Sequence, residues 1–171
     1  MKNVQLEHRH HQASPKTYPV CFLAHDIDIP MNIGSFFRIA DAFGVEKIYL
    51  SGSSPVPPNG KIRATSRSTE KYVPFSYEQS PVDLLRRLKS GGYTIISLEL
   101  TSSSTDIRRL GLSRDEKVCL ILGAENTGVC QELLDLSDKT LHIPMLGRNS
   151  SLNVATACAI ATFEIIRRFL P

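Results

Sequence analysis

The chain has 171 residues, with 20 Lys and Arg against 17 Asp and Glu and a formal net charge of +3. That length fits one domain with a self-sufficient core, and 42% hydrophobic with 22% charged residues excludes wholesale disorder and fibrous repeats. The longest run free of charged or strongly polar side chains, residues 154–163, is half of the ~20 residues that a membrane-spanning helix needs.

Residues 1–17 are expected to form a flexible tail. The chain begins with no apolar signal core, and His8, His10 and His11 suit a solvated terminus better than a metal site. A soluble, cytoplasmic protein without membrane contact is therefore expected. Val20-Cys21-Phe22-Leu23-Ala24 is a continuous apolar run of the kind a buried parallel strand shows. Ile33, Phe36, Phe37, Ala40 and Phe43 then recur at helical spacing and Gly44 stops them, which predicts a helix over 32–43. A strand follows at 47–50, and residues 51–60, with three prolines and two glycines, are a loop.

Pro81 opens a helix over 81–89, followed by a strand at 93–98, a short helical piece at 106–110 and a strand at 118–122. The last elements are a helix over 131–136, a strand at 140–143 and a long helix over 151–169. Leu152, Ala155, Ala159, Phe163 and Ile166 share one face of that helix. Strands alternating with helices predict an α/β domain over 18–171 on a mainly parallel sheet flanked by helices. Cys21, Cys119, Cys130 and Cys158 lack any Cys-x-x-Cys pairing, so reduced thiols are expected rather than disulfides or a zinc site.

Charge is uneven. Lys61, Arg63, Arg67 and Lys71 stand against one acid, Glu70, while residues 125–138 carry acids only. A basic middle is compatible with a polyanion; solvated helix faces give the same pattern.

Three segments carry unusual chemistry. In Asn32-Ile33-Gly34-Ser35-Phe36-Phe37-Arg38-Ile39-Ala40-Asp41 the apolar residues take one face and leave Gly34, Arg38 and Asp41 on the opposite stripe. A glycine costs up to ~1 kcal/mol inside a helix, so a close approach is expected at Gly34. Arg38 beside it is either a free cation or the partner of Asp41 one turn on. The second segment, Gly123-Ala124-Glu125-Asn126-Thr127-Gly128-Val129, follows a strand at its carboxyl end, where ligands of open α/β sheets sit. Its spacing matches no phosphate-binding loop. The third runs Ile143-Pro144-Met145-Leu146-Gly147-Arg148-Asn149-Ser150-Ser151-Leu152-Asn153. Ser151 or Ser150 is expected to cap the long helix, with Asn153 in its first turn reaching into a site.

In this order and spacing the three segments resemble the three motifs of the SpoU/TrmH family of RNA 2′-O-ribose methyltransferases, in the SPOUT superfamily, over residues 20–168. The resemblance implies a parallel sheet whose C-terminal part is threaded as a trefoil knot, S-adenosylmethionine held in that knot without a metal, and a homodimer. It matches Arg38 to the family's catalytic arginine and Asn32 to the asparagine that starts the same helix. Glu125 matches the second-motif glutamate, and Ser151 and Asn153 the third-motif pair. Leu98, Gly123, Ile143 and Leu152 match the backbone positions that hold the methyl donor. Arg38 would serve either as base for the ribose hydroxyl or as a cation on the target phosphate, since a guanidinium is a poor proton acceptor. Lys61, Arg63, Arg67, Lys71 and Arg148 are the candidate RNA contacts. Thr65-Ser66-Arg67-Ser68-Thr69-Glu70-Lys71-Tyr72-Val73-Pro74 resembles the Ser/Gly-x-Glu-Lys-Tyr/Trp-Val stretch of tRNA guanosine-modifying members, so tRNA is favoured over ribosomal RNA. A catalytically silent RNA-binding module and an enzyme acting on a small nucleotide through the 123–129 loop are the alternatives.

Overall fold

The apolar run at 20–24 becomes the heart of β1 (Tyr18–His25), and Val20 through Ala24 are all 0% exposed because both faces of the sheet are covered. The computed structural model describes residues 3–5, 10 and 16–170. The expected tail, His8 and His11 included, therefore lies largely outside the described residues. The sheet is completed by β2 (Val45–Ser51), β3 (Phe75–Glu78), β4 (Tyr93–Leu98), β5 (Thr105–Asp106), β6 (Lys117–Leu122) and β7 (Lys139–His142). Its order is β3-β2-β1-β6-β4-β7-β5, and every pairing is parallel.

The alternation of side chains along each strand divides the core in two. Phe22, flanked in register by Ile48 and Leu120, points with Val20 and Ala24 toward α1 (Pro30–Phe43) and α5 (Val154–Ile166). Cys21, Leu23, Cys119 and Ile121 face the other way, onto Leu84, Leu85 and Leu88 of α3 (Pro81–Ser90) and Leu133 of α4 (Gln131–Asp135). All four cysteines are free, three of them buried, and desolvation pushes the Cys158 thiol up to about 12. Among the described residues, no helix is long and apolar enough to cross a membrane.

Three elements escaped the sequence reading; the shortest is β5, the two residues Thr105–Asp106 that lead into the expected helical piece. α2 (Gly60–Ser66) starts where the loop was expected to end, capped by the Asn59 side chain accepting from Lys61 N and Ile62 N. With Ile62 as its single buried apolar side chain, it has no periodicity to read. β3 is a four-residue edge strand behind Pro74. α5 is shorter than the predicted 151–169. Neither Ser151 nor Ser150 caps it: Asn153 does, its Oδ1 accepting from Ala155 N (2.9 Å) and Thr156 N (3.2 Å). Beyond Ile166 the chain tightens, with Arg168 N and Phe169 N donating to carbonyls three residues back. Its buried face is Ala155, Cys158, Ala161, Thr162, Ile165 and Ile166, whereas Leu152 precedes the helix and Phe163 is 55% exposed.

The close approach expected at Gly34 is made by α2. The glycine is buried where α2 crosses α1, and a Cβ there would lie 2.7 Å from the Ile62 carbonyl oxygen and 2.8 Å from Thr65 Cβ. Gly34→Ala is therefore expected to destabilise the fold although alanine is the better helix former. Overpacking against backbone costs about 1–3 kcal/mol, more than the ~1 kcal/mol of propensity regained. A thermal melt should show a lower Tm than wild type.

Candidate functional site

The carboxyl ends of β4, β6 and β7 point the same way, as in every parallel sheet, and the three loops that leave them meet the start of α5. Between them lies a cavity of about 730 Å³, in the range of small-molecule sites. Leu98, Gly123, Ile143 and Leu152, the four positions singled out for a donor, all line it, as do Glu125, Ser151 and Asn153. The 123–129 loop folds back on itself, with Ala124 N donating to the Gly128 oxygen (3.1 Å) and Gly128 N to the Ala124 oxygen (2.9 Å). Gly128 has φ +69°, and a side chain there would strike Glu99.

One hydrogen-bonded chain joins the first, second and third segments. Asn32 is 6% exposed, and its Nδ2 donates to Glu125 Oε1 (2.6 Å) while its Oδ1 accepts from Asn153 Nδ2 (3.1 Å). Asn153 in turn spends its oxygen on the N-terminus of α5. Residues 93 and 121 positions distant from Asn32 are thus locked to it. Each amide uses both donor and acceptor, so neither can rotate without losing a bond. Ser151 lines the cavity outside this chain of bonds.

Arg38 stands apart. It is exposed on α1, outside the cavity lining, and makes no hydrogen bond or ion pair among the described residues, Asp41 included. Lys61, Arg63, Arg67 and Lys71 are exposed on α2 and the turn after it, and Arg148 is exposed in the loop before α5. None of these five forms an ion pair among the described residues. Five other basic residues differ. Arg86, Arg87, Lys89, Arg108 and Arg167 are each held by a carboxylate, so much of the basic middle is neutralised within the chain.

Glu99 was missed. It follows β4 directly and lines the cavity, its two oxygens accepting from Leu100 N (2.9 Å) and Val129 N (2.9 Å), which ties the β4 end to the 123–129 loop. A carboxylate immediately after an apolar strand was the available signal. His142, whose Nδ1 lies 3.0 Å from Ser104 Oγ, completes the polar lining beside β7. The lining contains two carboxylates and neither lysine nor arginine, so it suits a neutral or cationic ligand and offers a phosphate no counter-charge. Among the described residues, no group of three His, Cys, Asp or Glu side chains is placed to hold a metal ion.

The model of the SpoU rRNA Methylase family matches residues 19–163. A tRNA (guanosine(18)-2′-O)-methyltransferase of Escherichia coli is 30% identical over 142 residues, 81% of this chain and 59% of its own length. One from Thermus thermophilus is 32% identical over 151 residues, 86% of this chain and 74% of its own. The chain thus spans about three-fifths of the first relative and about three-quarters of the second. Among solved structures, an AdoMet-bound rRNA methyltransferase from Sinorhizobium meliloti has a TM-score of 0.81 at 28% identity, covering 93% of this chain and 59% of that one. The A. aeolicus TrmH/SpoU tRNA modifying enzyme has a TM-score of 0.78 at 25% identity, covering 88% and 75%. With the all-parallel sheet, the three linked segments and the family match over residues 19–163 in agreement, the chain belongs to the SpoU family.

Proposed function

We propose that the protein methylates RNA, transferring a methyl group from S-adenosylmethionine to a ribose 2′-hydroxyl, with a tRNA guanosine the favoured target. The observation that carries this reading is the charge of the cavity: Glu99 and Glu125 face it and no lysine or arginine does. A cationic sulfonium is matched by such a lining, and a nucleotide triphosphate is not. This weighs against the small-nucleotide alternative. The two tRNA (guanosine(18)-2′-O)-methyltransferases and the AdoMet-bound neighbour support the donor and the substrate class.

When bound, the donor supplies an electrophilic methyl carbon, and in-line attack by a ribose oxygen can draw ~7–11 kcal/mol from positioning alone. In this reading backbone at Leu98, Gly123, Ile143 and Leu152 holds the donor. The Glu125–Asn32–Asn153 chain positions the loop, α1 and α5 relative to one another. Arg38, exposed with its donors unspent, takes the target phosphate and polarises the hydroxyl, while Lys61, Arg63, Arg67, Lys71 and Arg148 grip the RNA backbone. The proposal includes a trefoil knot in the loops around the cavity, a cytoplasmic location and a homodimer. Exposed Ile29 and Met31 beside and within α1, and Ile160 and Phe163 on α5, support the dimer as an apolar surface to cover.

Isothermal calorimetry with chelator present should give one site per chain for S-adenosylmethionine and no heat with ATP. No heat with the donor at protein concentrations far above micromolar would contradict the reading.

A further inference from the structure

Four of the five tyrosines have an evident structural use. Tyr18 packs on Phe169 and under Lys16, Tyr49 lies under Lys47, Tyr77 donates to the Gly52 oxygen (2.8 Å), and Tyr93 donates to Glu46 beneath Lys117. Tyr72 has none of these. The residue is 63% exposed, and its side chain makes no ring contact or hydrogen bond among the described residues.

Its backbone, by contrast, is tightly held. Tyr72 ends the 3-10 turn Thr69–Lys71, its N–H donating to the Thr69 oxygen (3.1 Å), and the next residue, Val73, is 6% exposed and donates to the same oxygen (3.0 Å). Thr69 Oγ1 donates to the Ser66 oxygen (2.9 Å), and Ser66 Oγ donates to the Glu70 carboxylate. Just before the turn, Arg67 and Ser68 both take left-handed backbone, at φ +53° and +73°, a conformation that side-chain-bearing residues avoid. The chain thus accepts strain to end α2 abruptly and stand this turn against α1. Desolvation, then the carboxylates of Asp41 and Glu70, raise the Tyr72 hydroxyl above its ordinary pKa. The hydroxyl is therefore neutral at physiological pH and within electrostatic reach of Asp41, one turn along α1 from Arg38. Lys71 directly precedes Tyr72 in the chain, and Arg63 and Arg67 lie on α2 and its C-terminal cap just before the turn; all three are exposed and form no ion pair among the described residues.

We propose that Tyr72 is a stacking platform for an unpaired base of the RNA, with the neighbouring cations holding the flanking phosphates. A rigid aromatic face in a basic surface is what single-stranded RNA binds, because every base has a face to stack and every linkage a charge to neutralise. Pinning the ring's backbone in advance lowers the entropy lost on binding. The inference rests on the RNA-methylating reading above.

The sequence contains no tryptophan, which makes the test direct. Tyr72→Trp would carry the sole tryptophan of the protein, and its emission should be quenched as an unmodified tRNA transcript saturates it. In fluorescence anisotropy with the same transcript, Tyr72→Ala should bind about tenfold more weakly and Tyr72→Phe about as well as wild type. Stacking releases no counterions, so the slope of log affinity against log salt should be unchanged in Tyr72→Ala, whereas Lys71→Ala should lower it by about one. Donor affinity of Tyr72→Ala, read by calorimetry, should match wild type and certify the fold. Wild-type affinity in Tyr72→Ala, or tryptophan emission unmoved by saturating RNA, would overturn the platform while leaving the RNA reading intact. Emission that shifts with protein concentration alone would reassign the ring to a protein contact and overturn it too. Failure of the wild type to bind any transcript would remove the RNA reading itself.

Discussion

Arg38→Ala is expected to lower methyl transfer to RNA by about 10²–10³-fold while leaving the affinity for S-adenosylmethionine nearly unchanged. The two effects separate because Arg38 is exposed on α1, outside the cavity that β4, β6, β7 and α5 enclose. Its side chain has no hydrogen-bond or ion-pair partner among the described residues, the cavity lining included, so truncation removes none. What is lost is a planar set of unspent donors. Arg38→Lys distinguishes charge from geometry. If holding a phosphate by charge suffices, lysine should retain much of the rate; if the fork must polarise the hydroxyl, it should not. Single-turnover rates beside calorimetric donor binding would read both. A parallel loss of donor affinity would put Arg38 in the cofactor site and contradict the arrangement.

The second large effect is expected at Asn32. Asn32→Ala removes both hydrogen bonds of the buried amide and leaves Glu125 and Asn153 without their partner. Unsatisfied polar groups cost about 1–3 kcal/mol, which for a chain of this size lowers Tm by roughly 2–12 °C. Transfer should fall by about 10²-fold, because α1 and the 123–129 loop are no longer fixed relative to each other. Asn32→Asp keeps the shape but sets a second carboxylate where Nδ2 met Glu125 at 2.6 Å. Two carboxylates so close cannot both ionise, so one must have its folded-state pKa raised. The sign follows. The folded state of this variant binds more protons than the unfolded state, so its stability is greatest in acid and falls as pH rises through the raised value. At neutral pH it should be less stable than Asn32→Ala, and the order should narrow toward pH 4. Melts of both variants across that range would check this; a pH-independent gap would mean that the amide faces no carboxylate.

Much of this architecture is legible in the sequence because it depends on local pattern. The run at 20–24 has the pattern of a doubly covered strand, and the periodicity at 33–43 with Gly44 behind it marks α1 to within two residues. Where pattern is weak, the reading fails for identifiable reasons. α2 offers one apolar anchor, Ile62, and is held mainly by its Asn59 cap and by the absence of a side chain at Gly34. The start of α5 was displaced because serine and asparagine are equally good caps on paper. Only the fold shows that the 150–152 stretch is spent lining the cavity while Asn153 turns back to Asn32.

The site divides along the same line. The resemblance picked out Asn32, Glu125 and Asn153 individually, but the bonds that join them span separations no local window contains. Glu99 was passed over for the opposite reason: one acid after a strand says little until the fold brings Val129 N to it. The charge reading was too coarse as well. Arg86, Arg87 and Lys89 are held by carboxylates, whereas Lys61, Arg63, Arg67 and Lys71 form no ion pair among the described residues, a difference that charge counting does not show.

The central claim, methyl transfer to a ribose hydroxyl of RNA, is tested most directly by mapping the transferred label. Protein is incubated with methyl-labelled S-adenosylmethionine and unmodified tRNA transcripts, and the RNA is then hydrolysed in alkali. Cleavage in alkali needs a free 2′-hydroxyl, so the account predicts label in an alkali-resistant dinucleotide and, after full digestion, in a 2′-O-methylnucleoside. Label on a base, or no label in any transcript from protein that binds the donor, would contradict it.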